Sequence, residues 1–281
     1  MTSYIITEAH LSHYASHLQR EERSAGTIEG YLRHLRAFAD WLGGRPATKD
    51  LVGQWKQHLL ASGYAPVTVN NILAALHGFF RLQGWNDCRV HYLRIQRRVF
   101  RDPARELQRD EYQQLVTNAY SLGQERLALA METLAATGIR VSELAAITVE
   151  AARKGSANIH LKGKIRTILL PAKLVRKLLD YARRQHLKSG PIFRTASGRP
   201  LSRRQLWREM KALARQTGVP LTKVFPHNLR HLFATIFYSA CRDIVRLADV
   251  LGHVSIETTR LYLQTSGSEH QRQLDQLALV S

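Results

Sequence analysis

Apolar side chains recur at three- and four-residue intervals through most of this chain, and only between Ala157 and Leu170 does the period change. That pattern commits the chain to a mainly α fold with one small β-hairpin. Ile28, Tyr31, Leu32, Leu35, Phe38 and Leu42 form one stripe, closed by Gly43 and Gly44. A third helix is expected over about 48–60. A fourth opens at Pro66 and carries Val69, Ile72, Leu73, Leu76, Phe79 and Phe80 on one side. These stripes read as core. Arg20, Arg23, Lys49, Lys56 and Arg81 are left for the outer faces of a helical domain covering residues 1–93.

Residues 94–105 read as a basic linker. Arg94, Arg97, Arg98, Arg101 and Arg105 lie there with almost no acid nearby, and Pro103 breaks any helix. Five such cations suit a phosphate backbone. A second domain follows over 106–281, with helices expected at 107–116, 125–137 and 141–147. Ile159 and Leu161, then Ile165 to Leu170, read as two strands about the turn Lys162-Gly163-Lys164. Further helices are expected at 172–184, 202–216, 226–239 and 244–251. After Gly252, Ser255 is placed to cap a helix leading to Tyr262, and a last short helix is expected over 269–279.

Length suits two domains, each able to bury a core. Lys plus Arg number 41 against 22 Asp plus Glu, a formal net charge of +19, which points to a polyanionic partner, commonly nucleic acid. The two cysteines, Cys88 and Cys241, imply no disulfide framework and suit a reducing cytoplasm. No secretory leader or membrane-length apolar run is visible in the sequence, so a soluble protein is expected. The 13 histidines lack metal-ligand spacing, and neither a metal site nor a cofactor is expected.

The groups able to do chemistry are Arg140, Glu143, Lys162 or Lys164, His227, Arg230, His253 and Tyr262. Metal-free phosphodiester cleavage needs fixed positive charge at the nonbridging oxygens, a proton for the leaving oxygen and an in-line nucleophile. Arginines suit the first task, because the guanidinium fork fits phosphate. A lysine on a β-turn or a near-neutral histidine suits the second. A tyrosine hydroxyl suits the third and keeps the cut strand as a covalent ester.

The order of these groups resembles the tyrosine recombinases, or phage-type integrases, and in particular their small Xer-like branch. A-T-G-I-R-V-S-E-L at 136–144 looks like the first arginine box of that family. H-N-L-R-H at 227–231 is similar to its H-x-x-R box, and L-G-H at 251–253 with T-T-x-x-Y at 258–262 looks like its final box. Residues 107–265 carry the resemblance strongly. T-I-x-x-Y-L-x-x-L at 27–35 extends it loosely to the helical domain.

The resemblance implies a SAM-like core-binding domain followed by an α+β catalytic domain. Arg140 and Arg230 would grip the scissile phosphate, with Glu143 holding Arg140 or its neighbours in place. Lys162, or Lys164, would protonate the leaving 5′ oxygen. His227 would assist proton transfer at the tyrosine, His253 would hydrogen-bond the phosphate, and Tyr262 would attack to give a 3′-phosphotyrosine without metal or ATP. The resemblance further implies double-stranded DNA with specific core sites as partner. Four protomers would exchange strands on two sites through a Holliday junction, for integration and excision or for dimer resolution, with an accessory or directionality factor. The tail, 266–281, would dock in trans on a neighbouring subunit, the alternative being that it packs in cis, and the protein would work on DNA in bacterial or archaeal cytoplasm. A type IB topoisomerase and a non-catalytic DNA-binding relative are the competing readings.

Overall fold

The fold is that of a computed structural model, which describes residues 4–95, 102–161, 164–253, 255–260, 262 and 275–276. The chain divides into two units, Met1–Arg97 and Arg98–Ser281. No helix of the described residues is long and apolar enough to cross a membrane.

The first unit holds α1 (Glu8–Arg20), α2 (Ala25–Leu42), α3 (Lys49–Ala61) and α4 (Pro66–Gln83). Hydroxyls start three of them. Thr7, Ser24 and Thr48 each accept an orphan backbone N–H of the first turn, while α4 begins on Pro66, whose missing N–H would have been an orphan anyway. The α2 stripe buries Leu35, Phe38 and Leu42 fully, with Ile28, Tyr31 and Leu32 partly covered. They meet Val69, Leu73, Leu76, Phe79 and Phe80 of α4 and Trp55 of α3 in one core. Arg20, Arg23, Lys49 and Arg81 are exposed as expected, whereas Lys56 is half-buried and donates to the His91 carbonyl at 3.3 Å. Past α4 the chain is held to it by the Asn70 amide, which exchanges two hydrogen bonds with the backbone of Leu93, at 2.9 and 2.8 Å.

The second unit is built around α6 (Glu125–Thr137), whose Leu127, Ala128, Leu129, Ala130, Met131 and Leu134 are buried. Packed about it are α5 (Arg109–Ser121), α8 (Ala172–Arg184), α9 (Arg203–Thr217) and α10 (Pro226–Cys241). α5 starts later than the apolar pattern suggested, because Glu111 accepts the Gln108 N–H at 2.8 Å and caps it there. A 3₁₀ helix spans Val141–Ala146. It is followed by α7 (Val149–Lys154), whose six residues are too few to show a period in the sequence. The antiparallel hairpin pairs β1 (Ser156–Leu161) with β2 (Lys164–Leu169), register Ile159 opposite Arg166 and Leu161 opposite Lys164. Lys164 is therefore the first residue of β2 and not part of the turn, since the ladder runs on to it. Ala157, Ile159, Ile168 and Leu170 face the core, while Ile165 and Leu169 are exposed. The chain closes through α11 (Ile244–Leu251) and the five-residue α12 (Ile256–Arg260). Lys162 lies outside the described residues, and so does the helix expected over 269–279 apart from 275–276.

Candidate active site

The C-terminus of α11 is the frame of the site. A helix end leaves carbonyls without intrahelical donors and carries partial negative charge. Here Gly252 enters the left-handed region at φ 64°, and the turn ties itself off: Gly252 N–H donates to Asp249 O at 3.0 Å and His253 N–H to Ala248 O at 3.0 Å. Three carbonyls remain, and a different arginine takes each. Arg166 donates Nη1 to Val250 O at 2.8 Å, Arg230 donates Nη2 to Leu251 O at 2.8 Å, and Arg140 points Nη2 at Gly252 O at 3.5 Å. Arg230 is 2% exposed and reaches Gly138 O with Nη1 at 2.5 Å. Gly138 is also left-handed, and a Cβ there would lie 2.4 Å from the Phe233 ring.

Arg140 sits at the start of the 3₁₀ helix, where Glu143 accepts both its backbone N–H, at 2.8 Å, and its Nη1, at 3.0 Å. The Glu143 side chain is buried, and its Oε2 also accepts Arg166 Nη2 at 2.6 Å. A buried carboxylate between two guanidinium groups fixes both of them.

His227 and Arg230 share one face of the first turns of α10, as their i, i+3 spacing requires. The adjacent Asn228 orients that turn by donating to the Arg105 and Lys223 carbonyls, both at 2.7 Å. Opposite His227, Ser255 caps α12 by accepting the Glu257 N–H at 3.2 Å, and the Tyr262 N–H donates to Thr259 O at 2.9 Å. The Tyr262 hydroxyl thereby comes to 3.2 Å from His227 Nε2, in a side chain only 7% exposed, among the rings of His227, His231 and His253. His253 is held from both sides: Arg230 Nη2 is 2.8 Å from its Nε2, and Thr259 Oγ1 is 2.8 Å from its Nδ1. Arginine can only donate, so His253 Nε2 accepts and its proton lies on Nδ1, toward Thr259.

Burial, reinforced by Arg230, Arg203 and Arg140, pushes the His227 pKa below its ordinary value. Burial followed by Arg230, Arg140 and Arg166 pushes His253 down to about 4. Both imidazoles are neutral at pH 7, so His227 Nε2 can accept the tyrosine proton. Burial and Arg140 also lower the pKa of Arg230, while its hydrogen bond to Tyr262 opposes that shift.

Beside these groups a cavity of about 350 Å³ is lined by Arg140, Ser142, Arg203, Trp207, His227 and Arg230 among others. From it runs the solvent face of α9, with Arg203, Arg204, Trp207, Arg208 and Arg215 exposed and Lys211 half-buried near the Trp207 ring. This face and Arg166 lie outside the groups marked in the sequence, and Thr259 falls within the T-T-x-x-Y box without a role of its own. The basic face is readable as a run of cations at helical spacing in a segment that reads as helix, whereas nothing local marks Arg166. Of the linker arginines, Arg94 and Arg105 are exposed, and Arg97, Arg98 and Arg101 lie outside the described residues. Among the described residues no cluster of three or more His, Cys, Asp or Glu could hold a metal ion.

A helical unit followed by a unit with this arginine, histidine and tyrosine cluster is the plan of the phage integrases, and the chain belongs to the phage integrase family. The catalytic-domain model, described as Phage integrase family, matches residues 105–269, and the Phage integrase, N-terminal SAM-like domain model matches 11–85. Tyrosine recombinase XerC of Roseiflexus castenholzii is 31% identical over 278 residues, covering 91% of this chain and 87% of the relative. Tyrosine recombinase XerA of Pyrococcus furiosus is 29% identical over 277 residues, covering 96% and 94%. Among solved structures, a lambda integrase(75–356) dimer bound to a COC′ core site superposes with TM-score 0.73 at 19% identity, covering 93% of this chain and 96% of that one. The pre-cleavage complex of XerH site-specific recombinase with difH gives 0.70 at 19% identity, covering 92% and 82%. At these identities the superpositions establish the fold.

Proposed function

We propose that this protein is a site-specific DNA recombinase that cuts and rejoins strands through a 3′-phosphotyrosine. The observation that carries this reading is the Tyr262 hydroxyl 3.2 Å from a neutral His227 Nε2, next to two arginines fixed by the end of α11. Tyr262 attacks phosphorus and His227 takes its proton. Arg140 and Arg230 stabilise the charge that builds on the nonbridging oxygens. Lys162, assigned from its place in the sequence, gives a proton to the departing 5′ oxygen. One P–O ester replaces another, so the step is reversible and needs neither metal nor ATP. His253 accepts from Arg230, so its contribution here is to orient that arginine. Arg230 and Tyr262 are both buried, and scissile phosphate enters only as they exchange protein partners for it.

The partner is double-stranded DNA. The helical unit (1–93) and the catalytic unit (106–281) hold it with the arginines of 94–105, and the face of α9 follows the phosphates. The similarity in fold to a lambda integrase tetramer bound to a Holliday junction supports four protomers acting on two sites. The tail of 266–281, outside the described residues apart from 275–276, is assigned to a neighbouring copy on the sequence resemblance alone. An accessory factor setting direction fits the same reading. The relatives from bacteria and archaea support a DNA-associated protein of such a cell.

The test is a suicide-substrate assay in EDTA with wild type and Tyr262→Phe, followed by a two-site joining assay. A denaturant-resistant protein–DNA complex that disappears in the variant, with joined product from wild type, is expected. Binding without a covalent complex, even on nicked DNA, would leave only a DNA-binding relative. A covalent complex with relaxation but no joining would leave a topoisomerase.

A further inference from the structure

Arg166 lies in β2, where backbone pairing with Ile159 of β1 fixes its place along the hairpin. Both ends of its guanidinium are committed to protein: Nη2 to Glu143 Oε2 at 2.6 Å and Nη1 to Val250 O at 2.8 Å. Its side chain is half as exposed as that of Arg140, at 17% against 34%. Two of its five N–H donors are so engaged, and at this exposure the remaining ones are poorly placed to reach a phosphate. Its effect passes instead through Glu143. That carboxylate holds the Arg140 guanidinium by Nη1 alone, because Oε2 is filled by Arg166 and by the Arg140 backbone N–H. Arg140 Nη2 is thus kept off the carboxylate, with only a 3.5 Å approach to Gly252 O. With Arg166 gone, a buried anionic oxygen would lose its strongest partner, and the nearest replacement is Arg140 itself. A fork–fork pair with Glu143 is the preferred geometry of that couple. It would turn Arg140 away from the substrate.

We infer that Arg166 is a positioning residue of strand cleavage, saturating Glu143 and the Val250 carbonyl so that Arg140 keeps one guanidinium end for the phosphate. The inference rests on the recombinase reading given above. It also explains the glycine after α11, since a Cβ on Gly252 would come within 2.7 Å of Arg166 Cδ and Nη1.

The experiment measures single-turnover covalent-complex formation at saturating nicked DNA, DNA affinity and thermal unfolding for full-length wild type, Arg166→Met, Arg166→Lys, Glu143→Gln and the double variant Glu143→Gln/Arg166→Met. Arg166→Met should slow cleavage about 100-fold, the scale of a misplaced catalytic group, with affinity within about twofold of wild type. Arg166→Lys keeps the charge but cannot span both acceptors, so it should fall between the two. The double variant should be no slower than its slower parent, because both changes act on one arginine. Cleavage by Arg166→Met at the wild-type rate, an equal loss of DNA affinity, or multiplying losses in the double variant would overturn the assignment. If Arg166→Met does not fold, Arg166→Lys decides it, and a wild-type rate there refutes the need for a fork. If wild type binds nicked DNA without any covalent complex, the recombinase reading fails and this assignment falls with it.

Discussion

His227 meets Tyr262 as a base only while its ring is neutral, and its surroundings keep it so. Burial lowers its pKa, and Arg230, Arg203 and Arg140 lower it further. The active form is the deprotonated one, so activity is present above this pKa and is lost as pH falls through it. The acid limb of kcat/KM, which reports the free enzyme, should therefore lie below the ordinary histidine value of about 6.5. A profile measured on short nicked DNA checks this, and a limb centred above that value would contradict the assignment of His227 as base. Thr259 acts on the other imidazole. Its hydroxyl is buried and accepts the hydrogen bond of the His253 Nδ1–H, which leaves Nε2 as an acceptor for Arg230. Thr259→Val would strand that proton or flip it to Nε2, against the guanidinium donors. The expected cost is about 1–3 kcal/mol in urea unfolding, with slower cleavage, and Thr259→Ser should restore both.

At the scale of elements, the end of α11 explains why distant residues share one site. Once Gly252 and His253 have closed the turn, its free carbonyls hold guanidinium groups from the 3₁₀ helix, from β2 and from α10. Gly252→Ala should be costly twice over, through left-handed strain of about 1 kcal/mol or more and through collision with Arg166. Unfolding and cleavage assays should both register it, and a fully active, equally stable Gly252→Ala would show that the turn tolerates displacement. The same geometry explains what the sequence could and could not disclose. Helices with long stripes, such as α2 and α4, are legible because period and caps are local properties. His227 with Arg230, and Arg140 with Glu143, could be paired from spacing alone. Arg166 could not, because a residue in a strand carries no mark of the carboxylate 23 positions away that it will meet. The 3.2 Å approach of Tyr262 to His227 likewise depends on how α10 and α12 pack, which no spacing encodes.

Over the whole molecule, the excess of positive charge is unevenly placed. Residues 1–97 carry eleven Lys and Arg against seven Asp and Glu, whereas residues 98–281 carry thirty against fifteen. Most of the electrostatic attraction for DNA should therefore come from the catalytic unit, where the exposed face of α9 presents cations at helical spacing. Each cation that neutralises a phosphate releases counterions, so log K should fall linearly with log salt at about 0.9 per contact. Changing Arg204 and Arg208 together to glutamine should weaken binding to all sequences and reduce that slope by about two. Cleavage at saturating DNA should be preserved, because neither residue lines the cavity beside Tyr262. Fluorescence anisotropy across a salt series, on specific and scrambled duplexes, separates the outcomes. An unchanged slope would take α9 off the DNA, and a loss confined to the specific duplex would make it a reader of bases instead of phosphates.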